Sequence, residues 1–280
     1  MAKTTIDTWQ TTFHRLSGLF EPIVPAFHAM DHREHHWPGL QEYQTLLNSH
    51  TPPITNARKI PIKFVPQAAT CKSFQEQYEP RIYLTGEVQT RLNNWHDLFQ
   101  VLVWKTFPKT KRLLNALHYQ AASQRLAEDN KNTQRTEQEN FLTLFDECGI
   151  VIISYEQYLL NLIRAFQWPE LFWENRNKFQ SKIACYTFGH AMYEKALTPY
   201  IGMTANAILI LTDDAFFKLD NLKKRLAIDD MIVSNLRQER SLNPRQKLNP
   251  FPILGVPQWY NENKSLDFYL NKNYFREGRR

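Results

Sequence analysis

The sequence predicts a mainly α-helical chain with a few short strands, an α+β class, folded as a single globular domain. Apolar residues recur at helical spacing through the middle of the chain, whereas short apolar runs such as "IVIIS" and "ANAILILTD" have the length of strands. We find no internal repeat and no low-complexity linker. With 280 residues, of which 42% are hydrophobic, the chain can bury a sizeable core.

The N-terminal part is less regular, and we expect residues 1–90 to be an extension packed on a main helical domain, 91–280. In the extension, "GLQEYQTLLNSH" has helical spacing, and "KIPIKFV" alternates like an extended chain or an edge strand. "EPRIYLTGEVQTR" has strand-like residues interrupted by Gly86, a pattern that predicts a hairpin.

Two consecutive helices are predicted next, in "NWHDLFQVLVWKTF" and "PKTKRLLNALHYQAASQRLAED". Pro108 suits the first turn of the second helix because its missing N–H would have no partner there. Leu113, Leu117 and Ala121 predict the apolar stripe of that helix.

The second half of the chain alternates strands and helices. "FLTLFDECG" leads into the buried strand "IVIIS", and "YEQYLLNLIRAFQ" predicts a helix that ends before Trp168. "IACYTFGHAMYEKAL" begins like a strand and becomes helical after Gly189, and "FFKLDNLKKRLAIDDMIVSNLRQ" predicts an amphipathic helix. The tail, "NPFPILGVPQWYNENKSLDFYLNKNYFR", is rich in proline and aromatic residues, and we expect it to wrap over the body.

Composition narrows the class of protein. The first residues, "MAKTTIDTWQ", do not resemble a secretory signal, and the apolar runs are too short to span a membrane. Cys71, Cys148 and Cys185 cannot all pair with one another and form no C-x-x-C motif, which indicates a reducing compartment. We therefore expect a cytoplasmic protein without a membrane partner. The net charge of +6 is compatible with an anionic partner but includes no dedicated nucleic-acid arm.

The dipeptide His96-Asp97 has two interpretations. Asn94 can cap the helix that begins there, and Asp97 can bond back to the N–H of the cap, which explains Asp97 without catalysis. His96 lies one place round the helix, on a half-apolar face, where a histidine is commonly a packing residue. Chemistry at this dipeptide is the alternative.

The hypothesis of a site depends on further polar pairs. Asn115 and His118 are neighbours on one helix, and Asp146 and Glu147 end an apolar helix. His190 and Glu194, spaced i,i+4, suit a metal site or a base with its orienting carboxylate, although a surface ion pair explains them equally well. Taken alone, these two residues favour the surface ion pair. The sequence contains no H-E-x-x-H, Walker or G-x-G-x-x-G motif.

Arg276 follows Tyr274 and Phe275, which can anchor it against the body. A fixed arginine can bind a carboxylate or phosphate of a substrate. The alternative is an internal ion pair, for which Asp146 is the expected partner.

Several strings together resemble a bacterial family catalogued as domain of unknown function 3025. They are "RLNNWHDLFQVLVWKTFPKTKRLLNALH", "TLFDECG", "FGHAMYEKALTPYIGMTANA", "PFPILGVPQWY" and "FYLNKNYFR", and they span Arg91 to Arg276. The resemblance implies a bacterial cytoplasmic protein and brings no activity with it. Gln100 stands where we expect asparagine, and Gln258 where we expect a second glycine.

Three functions remain open at this point. The first is an enzyme, a phosphate or amide hydrolase, with a small-molecule or phosphate-containing substrate and a divalent metal as its candidate cofactor. The predicted catalytic residues are His96, Asp97, His118, Asp146, Glu147, His190 and Glu194. The predicted substrate-binding residues are Asn94, Lys111, Asn115 and Arg276. The predicted metal ligands are His118, His190 and Glu194.

The second function is a non-catalytic module that binds RNA or protein through Trp95, Trp104 and Trp259. The third is a buried polar network that fixes helix packing and has no active site.

Overall fold

The structure is a computed structural model, which describes residues 8–32, 35–70, 73–128, 134–238 and 242–278. About 54% of it is helical and about 13% is strand, which confirms the predicted mainly α class with a few short strands. Among the described residues, no helix combines the length and the apolar character that crossing a bilayer requires. Cys71 lies outside the described residues.

The helices are α1 Val24–Ala29, α2 Leu40–Asn48, α3 Tyr78–Thr85, α4 Trp95–Thr106, α5 Pro108–Glu128, α6 Glu137–Cys148, α7 Gln157–Arg164, α8 Arg176–Lys182, α9 His190–Ala196, α10 Ala215–Lys218, α11 Asn221–Gln238, α12 Pro244–Lys247 and α13 Leu266–Tyr269. The strands are β1 Lys63–Pro66, β2 Glu87–Thr90, β3 Gly149–Ser154, β4 Ile183–Thr187, β5 Thr204–Leu211 and β6 Asn249–Pro252.

The larger sheet has the strand order β4-β3-β5-β6. β3 pairs antiparallel with β4 and parallel with β5, and β6 pairs antiparallel with β5. Every residue of β3 is buried, which explains why "GIVIIS" is continuously apolar instead of alternating. α6 runs directly into β3, and β4 is followed by α9, so the centre of this sheet sets the relative positions of two helices that carry polar side chains.

The smaller sheet pairs β1 with β2 in parallel. The prediction of a hairpin in "EPRIYLTGEVQTR" was wrong, because its first half forms α3 and only its second half forms β2. Gly86 ends α3 in the left-handed region, at φ 77°, where a β-carbon would lie 2.4 Å from the carbonyl oxygen of Pro61. The glycine that suggested a hairpin turn is therefore a helix C-cap that brings β2 beside β1.

α4 and α5 begin and end close to their predicted positions, and α5 starts at Pro108 as expected. The predicted apolar stripe of α5 is only partly correct. Ala121 is buried as predicted, but Leu113 and Leu117 are only half-buried against the core. The more deeply buried face carries Lys111, Asn115 and His118 together with Leu114. This polar face of α5 turns towards the site described below.

The C-terminal tail packs over the body, as the sequence predicts. The hydroxyl of Tyr274 donates to the carbonyl of Met203 at 2.7 Å and accepts from the N–H of Leu254 at 2.9 Å. Trp168 donates from its indole N–H to the carbonyl of Arg276 at 2.9 Å. The tail thereby ties β5 to the region around β6.

Residues of the N-terminal part share the core of the body. The ring centroids of Phe13 and Trp9 lie 5.2 Å and 5.3 Å from the ring centroid of Trp95 in α4. Buried residues from Phe13 to Phe275 form one hydrophobic cluster. The division of the chain at residue 90 stays a prediction.

Candidate active site

The first turn of α4 places His96. Asn94 caps this helix, as predicted, because its side-chain oxygen accepts from the N–H of Asp97 at 3.1 Å. The second half of the predicted capping box was wrong. The carboxylate of Asp97 binds the N–H of Arg91 at 2.5 Å and its guanidinium at 2.9 and 3.1 Å, not the N–H of Asn94. Asp97 thus anchors the segment before α4.

The first turn of α9 places His190 beside the end of α6. The N–H groups of Phe188 and Gly189 both donate to the carbonyl of Gly149, at 3.0 and 2.9 Å. A β-carbon on Gly189 would lie 2.3 Å from the carbonyl oxygen of Glu147, so only glycine permits this approach. The close contact brings His190 next to the acidic C-terminus of α6.

Three side chains from two helices form a hydrogen-bonded chain. Glu194 Oε2 lies 2.8 Å from Nδ1 of His96, and Nε2 of His96 lies 3.0 Å from Nε2 of His190. The expected surface pair between His190 and Glu194 was wrong, because both residues contact His96 and His190 is only 4% exposed. With a carboxylate at Nδ1, a neutral His96 carries its proton on that nitrogen, which leaves Nε2 as the basic atom.

The two imidazoles are not aligned end to end. Their planes are inclined by 82° and their centroids are only 4.5 Å apart. If the two rings pointed straight at each other, the distance between their centroids would be the 3.0 Å contact plus one ring radius on each side. The observed centroid distance is shorter than that sum. The N–H···N contact is therefore bent, which weakens it and leaves room for another group at the same nitrogens.

A buried ion pair lies behind His190. Lys111 Nζ lies 2.6 Å from Oδ1 of Asp146, and both side chains are at most 10% exposed. Nδ1 of His190 faces Oδ2 of the same carboxylate at 3.7 Å, beyond a normal hydrogen bond. The expected ion pair between Arg276 and Asp146 was wrong, since Lys111 occupies that position and Arg276 bonds the carbonyl of Asn273.

The surroundings fix the charge of these groups. Burial lowers the pKa of His190 from 6.5 to about 4, although the charge of Asp146 opposes this effect. Burial raises the pKa of Asp146, but Lys111 and His190 outweigh it and hold that pKa below 3.8. The hydrogen bond from His96 lowers the pKa of Glu194. At neutral pH the site therefore combines two carboxylates with an uncharged His190.

The site opens into a cavity of about 880 Å³. Among the predicted catalytic residues, those that line this cavity are His96, Asp97, His118, Asp146, Glu147 and His190. Glu194 and Lys111 are not among the lining residues. Glu194 contacts the lining residue His96, and Lys111 contacts the lining residue Asp146. Asn94, Asn115 and Arg276 are not among the lining residues; Asn115 bonds Glu79, and Arg276 lies in the tail.

Sequence reasoning missed other polar residues that line the cavity, which are Gln67, Gln77, Tyr78, Glu79, Gln89, Arg91, Arg125, Arg135 and Glu139. Glu79 is the first residue of the segment predicted to form a hairpin, and Tyr78 directly precedes that segment. Arg125 and Glu139 form an ion pair at 2.9 Å that joins α5 to α6 across a polar connector. A capping-box pattern, Thr136 to Glu139, was the available signal for that carboxylate, but it indicates a helix start and not a cavity.

The predicted metal ligands are not gathered around one point. Among the described residues, no group of three or more His, Cys, Asp or Glu side chains is placed to hold a metal ion. Glu194 and His190 are linked only through His96. The arrangement therefore gives no support to the predicted set of His118, His190 and Glu194.

The tryptophans that suggested a binding module belong mostly to the core. Trp95 is 5% exposed and Trp104 is fully buried, so neither can stack on a base. Trp259 is partly buried and its ring covers Gly18. Their positions favour packing as the role of these residues.

A comparison with known protein families gives a match over most of the chain. A family model described as "Protein of unknown function (DUF3025)" matches residues 62–279. Neither a search of curated proteins nor a search of solved structures found a match. The matched range contains all the residues of the hydrogen-bonded chain and all the described lining residues of the cavity.

Proposed function

We propose that this chain, which belongs to the DUF3025 family, is an enzyme in which His96 moves protons to and from a small molecule in the cavity. The observation that carries the proposal is the chain from Glu194 through His96 to His190 at the cavity wall. A base held by a carboxylate and bordering a cavity is the arrangement that general acid–base catalysis requires.

Each of the three side chains has a distinct role. Glu194 holds Nδ1–H of His96, fixes the ring orientation and stabilises the imidazolium that forms when Nε2 takes a proton. His96 is the proton carrier, since its side chain is 27% exposed. His190 positions Nε2 of His96 and, because its low pKa keeps it neutral, does not compete for the positive charge.

Hydrolysis is the reaction class that this set supports best. Nε2 of His96 takes a proton from a water molecule as the water oxygen bonds to the electrophilic centre of the substrate. The same nitrogen then returns the proton to the leaving group as the scissile bond breaks. The contact with His190 is bent and therefore weak, so the one lone pair of Nε2 can exchange this contact for the water molecule.

The ion pair of Lys111 and Asp146 has a structural role in this proposal. It joins α5 to α6 behind His190, and Asp146 is its only member that borders the cavity. Part of the polar set is thus the packing network that the sequence also suggested, while His96 and Glu194 carry the chemistry.

We propose the cytoplasm as the compartment. Cys148 and Cys185 are free thiols in the structure. Burial raises the pKa of Cys185, which makes it an inert core residue and not a reactive one. Unpaired cysteines are typical of reducing compartments.

Substitution of His96 tests the proposal. Purified protein is assayed with p-nitrophenyl acetate, acetyl-amino-acid p-nitroanilides and p-nitrophenyl phosphate, alongside His96→Asn and His35→Asn, a control at an exposed histidine. We expect His96→Asn to lose on the order of 10²–10⁴-fold in rate while melting like the wild type, and His35→Asn to keep its rate. Equal rates for the two variants, or a wild type inactive on every substrate, would contradict the proposal.

A further inference from the structure

The four ring nitrogens of His96 and His190 are not satisfied by their neighbours alone. Nδ1 of His96 faces Oε2 of Glu194 at 2.8 Å, and Nδ1 of His190 faces Oδ2 of Asp146 at 3.7 Å. An ionised carboxylate accepts hydrogen bonds and does not donate them, so each Nδ1 is best matched when it carries the proton of its ring. Both Nε2 atoms then hold lone pairs, and these lone pairs meet at 3.0 Å with no proton between them.

The other tautomer of His190 moves the conflict to another atom. With its proton on Nε2, His190 donates to Nε2 of His96, which is the contact that positions the base in the proposed function. Nδ1 of His190 is then a bare lone pair facing the carboxylate of Asp146, in a side chain that is only 6% exposed. Either tautomer sets one lone pair against another acceptor. A cation beside the two Nε2 atoms removes the conflict, because it accepts both lone pairs while both Nδ1 atoms keep their protons.

The distance between the two Nε2 atoms suits one zinc ion. Zinc binds imidazole nitrogen at about 2.0–2.1 Å, so two such nitrogens at the tetrahedral angle lie about 3.3 Å apart. The observed 3.0 Å is shorter by about 0.3 Å, a difference that a small rotation of the partly exposed His96 ring provides. The centroids, 4.5 Å apart, are as close as expected when both nitrogens turn towards a point beside them.

The carboxylates behind the two rings complete the pattern of a histidine metal site. A histidine that binds a metal through one nitrogen almost always donates its other N–H to a carboxylate, a carbonyl or water, which fixes the ring and makes it a stronger ligand. Glu194 occupies this position for His96. Asp146, held by Lys111 at 2.6 Å, occupies it for His190.

The charge of the cavity also favours a cation. Its described lining residues include five carboxylates and three arginines, a formal excess of two negative charges with the histidines neutral. The ammonium of Lys111, behind the wall, reduces this excess to one. A divalent cation at the two imidazoles therefore enters a cavity whose field attracts it.

The number of protein ligands sets the strength of binding. No third His, Cys, Asp or Glu side chain of the described chain is placed with these two to hold a metal ion. Water from the cavity therefore completes the coordination, and the ion is held more weakly than in the closed four-ligand sites that stabilise folds. Imidazole ligands favour zinc, whereas magnesium and calcium take oxygen ligands.

We infer that Nε2 of His96 and Nε2 of His190 together bind one Zn²⁺ ion reversibly, and that the ion occupies the lone pair with which His96 takes up a proton. The binding of the ion does not rest on the proposed function. The inhibition that follows does rest on it, because it requires His96 to be the proton carrier. Zinc is thus a reversible inhibitor of this site.

Zinc binding is measured on protein that has been freed of metal with EDTA and dialysed. Zn²⁺ is added in a buffer that does not bind it, and binding is followed by calorimetry and by nitrogen-15 NMR of the assigned histidine rings. We expect saturable shifts of Nε2 in His96 and His190, with protons on both Nδ1 atoms in the zinc-bound protein. Mg²⁺ at the same concentration should leave these resonances unchanged.

His96→Asn, His190→Gln and Glu194→Ala are the test variants, and His36→Gln, at an exposed histidine, is the matched control. We expect the affinity of the ring site for Zn²⁺ to fall at least about ten-fold in each test variant and to stay within about two-fold in the control. His96 is partly exposed, so its variant keeps the test decisive if a change at buried His190 unfolds the protein. Equal zinc affinities of the wild type and His96→Asn, or zinc shifts confined to other histidines, would overturn the site.

Activity separates this inference from the proposed function. Saturating Zn²⁺ should abolish the His96-dependent hydrolysis, after subtraction of the rate with zinc alone, and EDTA should restore it. If zinc binds both Nε2 atoms but the wild type hydrolyses none of the substrates, the site stands, and the proposed function fails together with the inhibition. If His96→Asn loses activity but zinc does not bind these nitrogens, the proposed function stands and the site fails. A rate that bound zinc leaves unchanged or raises would overturn both the inhibition and the role of His96 as proton carrier.

Discussion

Nε2 of His96 lies 3.0 Å from Nε2 of His190, although the two residues are 94 positions apart in the chain. His96 lies in the first turn of α4, and His190 is the first residue of α9. Side chains on helices are held more precisely than side chains on loops, which makes these two turns suitable places from which distant segments can build a site. The contact joins the helical layer to the central sheet, because α9 follows β4 directly.

The ion pair of Lys111 and Asp146 should contribute strongly to stability. We expect Asp146→Asn to lower the free energy of unfolding by about 3–5 kcal/mol, because the ammonium of Lys111 would remain buried without its counter-charge. The double variant Lys111→Met/Asp146→Asn should lose less than the two single losses together. Urea denaturation at pH 7 measures the free energy of unfolding of Asp146→Asn, of Lys111→Met and of the double variant.

The exposed pair of Lys109 and Asp230, with side chains 50% and 61% exposed, is the matched control. Asp230→Asn should change the free energy of unfolding by less than about 1 kcal/mol, because water and salt screen exposed charges. Similar losses for Asp146→Asn and Asp230→Asn would show that burial does not strengthen the inner pair.

The low pKa of His190 predicts how stability depends on pH. The unfolded chain takes up a proton at this histidine near pH 6.5, whereas the folded protein does so only near pH 4. The unfolded state therefore binds more protons between these values, and stability falls as the pH is lowered from 6.5 to 4, by up to about 3 kcal/mol. Denaturation curves at several pH values should show this loss in the wild type.

In His190→Gln, most of the pH dependence between 6.5 and 4 should disappear, because glutamine does not titrate. His36→Gln, at an exposed histidine, should retain it. Asp146 acts at lower pH, because its pKa in the folded protein lies below its ordinary value of 3.8. The stability that its carboxylate contributes is present above the pKa of Asp146 in the unfolded chain. This stability is lost as the pH falls through the pKa of Asp146 in the folded protein. A wild-type curve that is flat from pH 6.5 to 4 would show that His190 titrates normally.

Local sequence signals predicted the helices that carry the site. Asn94 before α4, Pro108 at the start of α5 and Gly189 before α9 each mark a helix start by a mechanism that acts within a few residues. The apolar run of β3 predicted a buried strand for the same reason. Such features depend on backbone chemistry near the residue, so they can be read without knowledge of the fold.

The partners of the polar side chains could not be predicted in this way. Asp146 pairs with Lys111, 35 positions away, although Arg276 was a chemically equal choice. His190 and Glu194 have the spacing of a helical ion pair, yet both turn to His96. Which of several compatible partners a charge meets depends on how helices pack, and spacing within one helix contains no information about that.

The buried face of α5 shows the same limit. Leu113 and Leu117 suggested an apolar stripe, but the more deeply buried face carries Lys111, Asn115 and His118. A hydrophobic pattern assumes that polar residues face water. That assumption fails where a helix borders a cavity, because the polar side chains there find protein partners or a ligand.

Removal of Glu194 should disorder His96 without unfolding the protein. In Glu194→Ala the proton on Nδ1 of His96 loses its acceptor, so we expect a mixture of the two tautomers and a fall in any His96-dependent rate on the order of 10²-fold or more. Nitrogen-15 NMR of the histidine rings reports the tautomers directly. Lys195→Ala is the control, since Lys195 follows Glu194 on α9 and its ammonium contacts Cys148 instead; unchanged tautomers in Glu194→Ala would contradict the role of the carboxylate.

The approach of α9 to α6 should depend on the absence of a side chain at Gly189. A β-carbon there would lie 2.3 Å from the carbonyl oxygen of Glu147 and 2.5 Å from the N–H nitrogen of Cys148, and neither backbone atom can move freely. We expect Gly189→Ala to push the two helices apart, lower the free energy of unfolding by about 2–3 kcal/mol and reduce the His96-dependent rate. Gly39→Ala, where a β-carbon would meet only a flexible glutamate side chain at 3.3 Å, should cost less than about 1 kcal/mol and leave the rate unchanged. Equal effects of the two substitutions on stability and rate would mean that this close backbone contact does not hold His190 against His96.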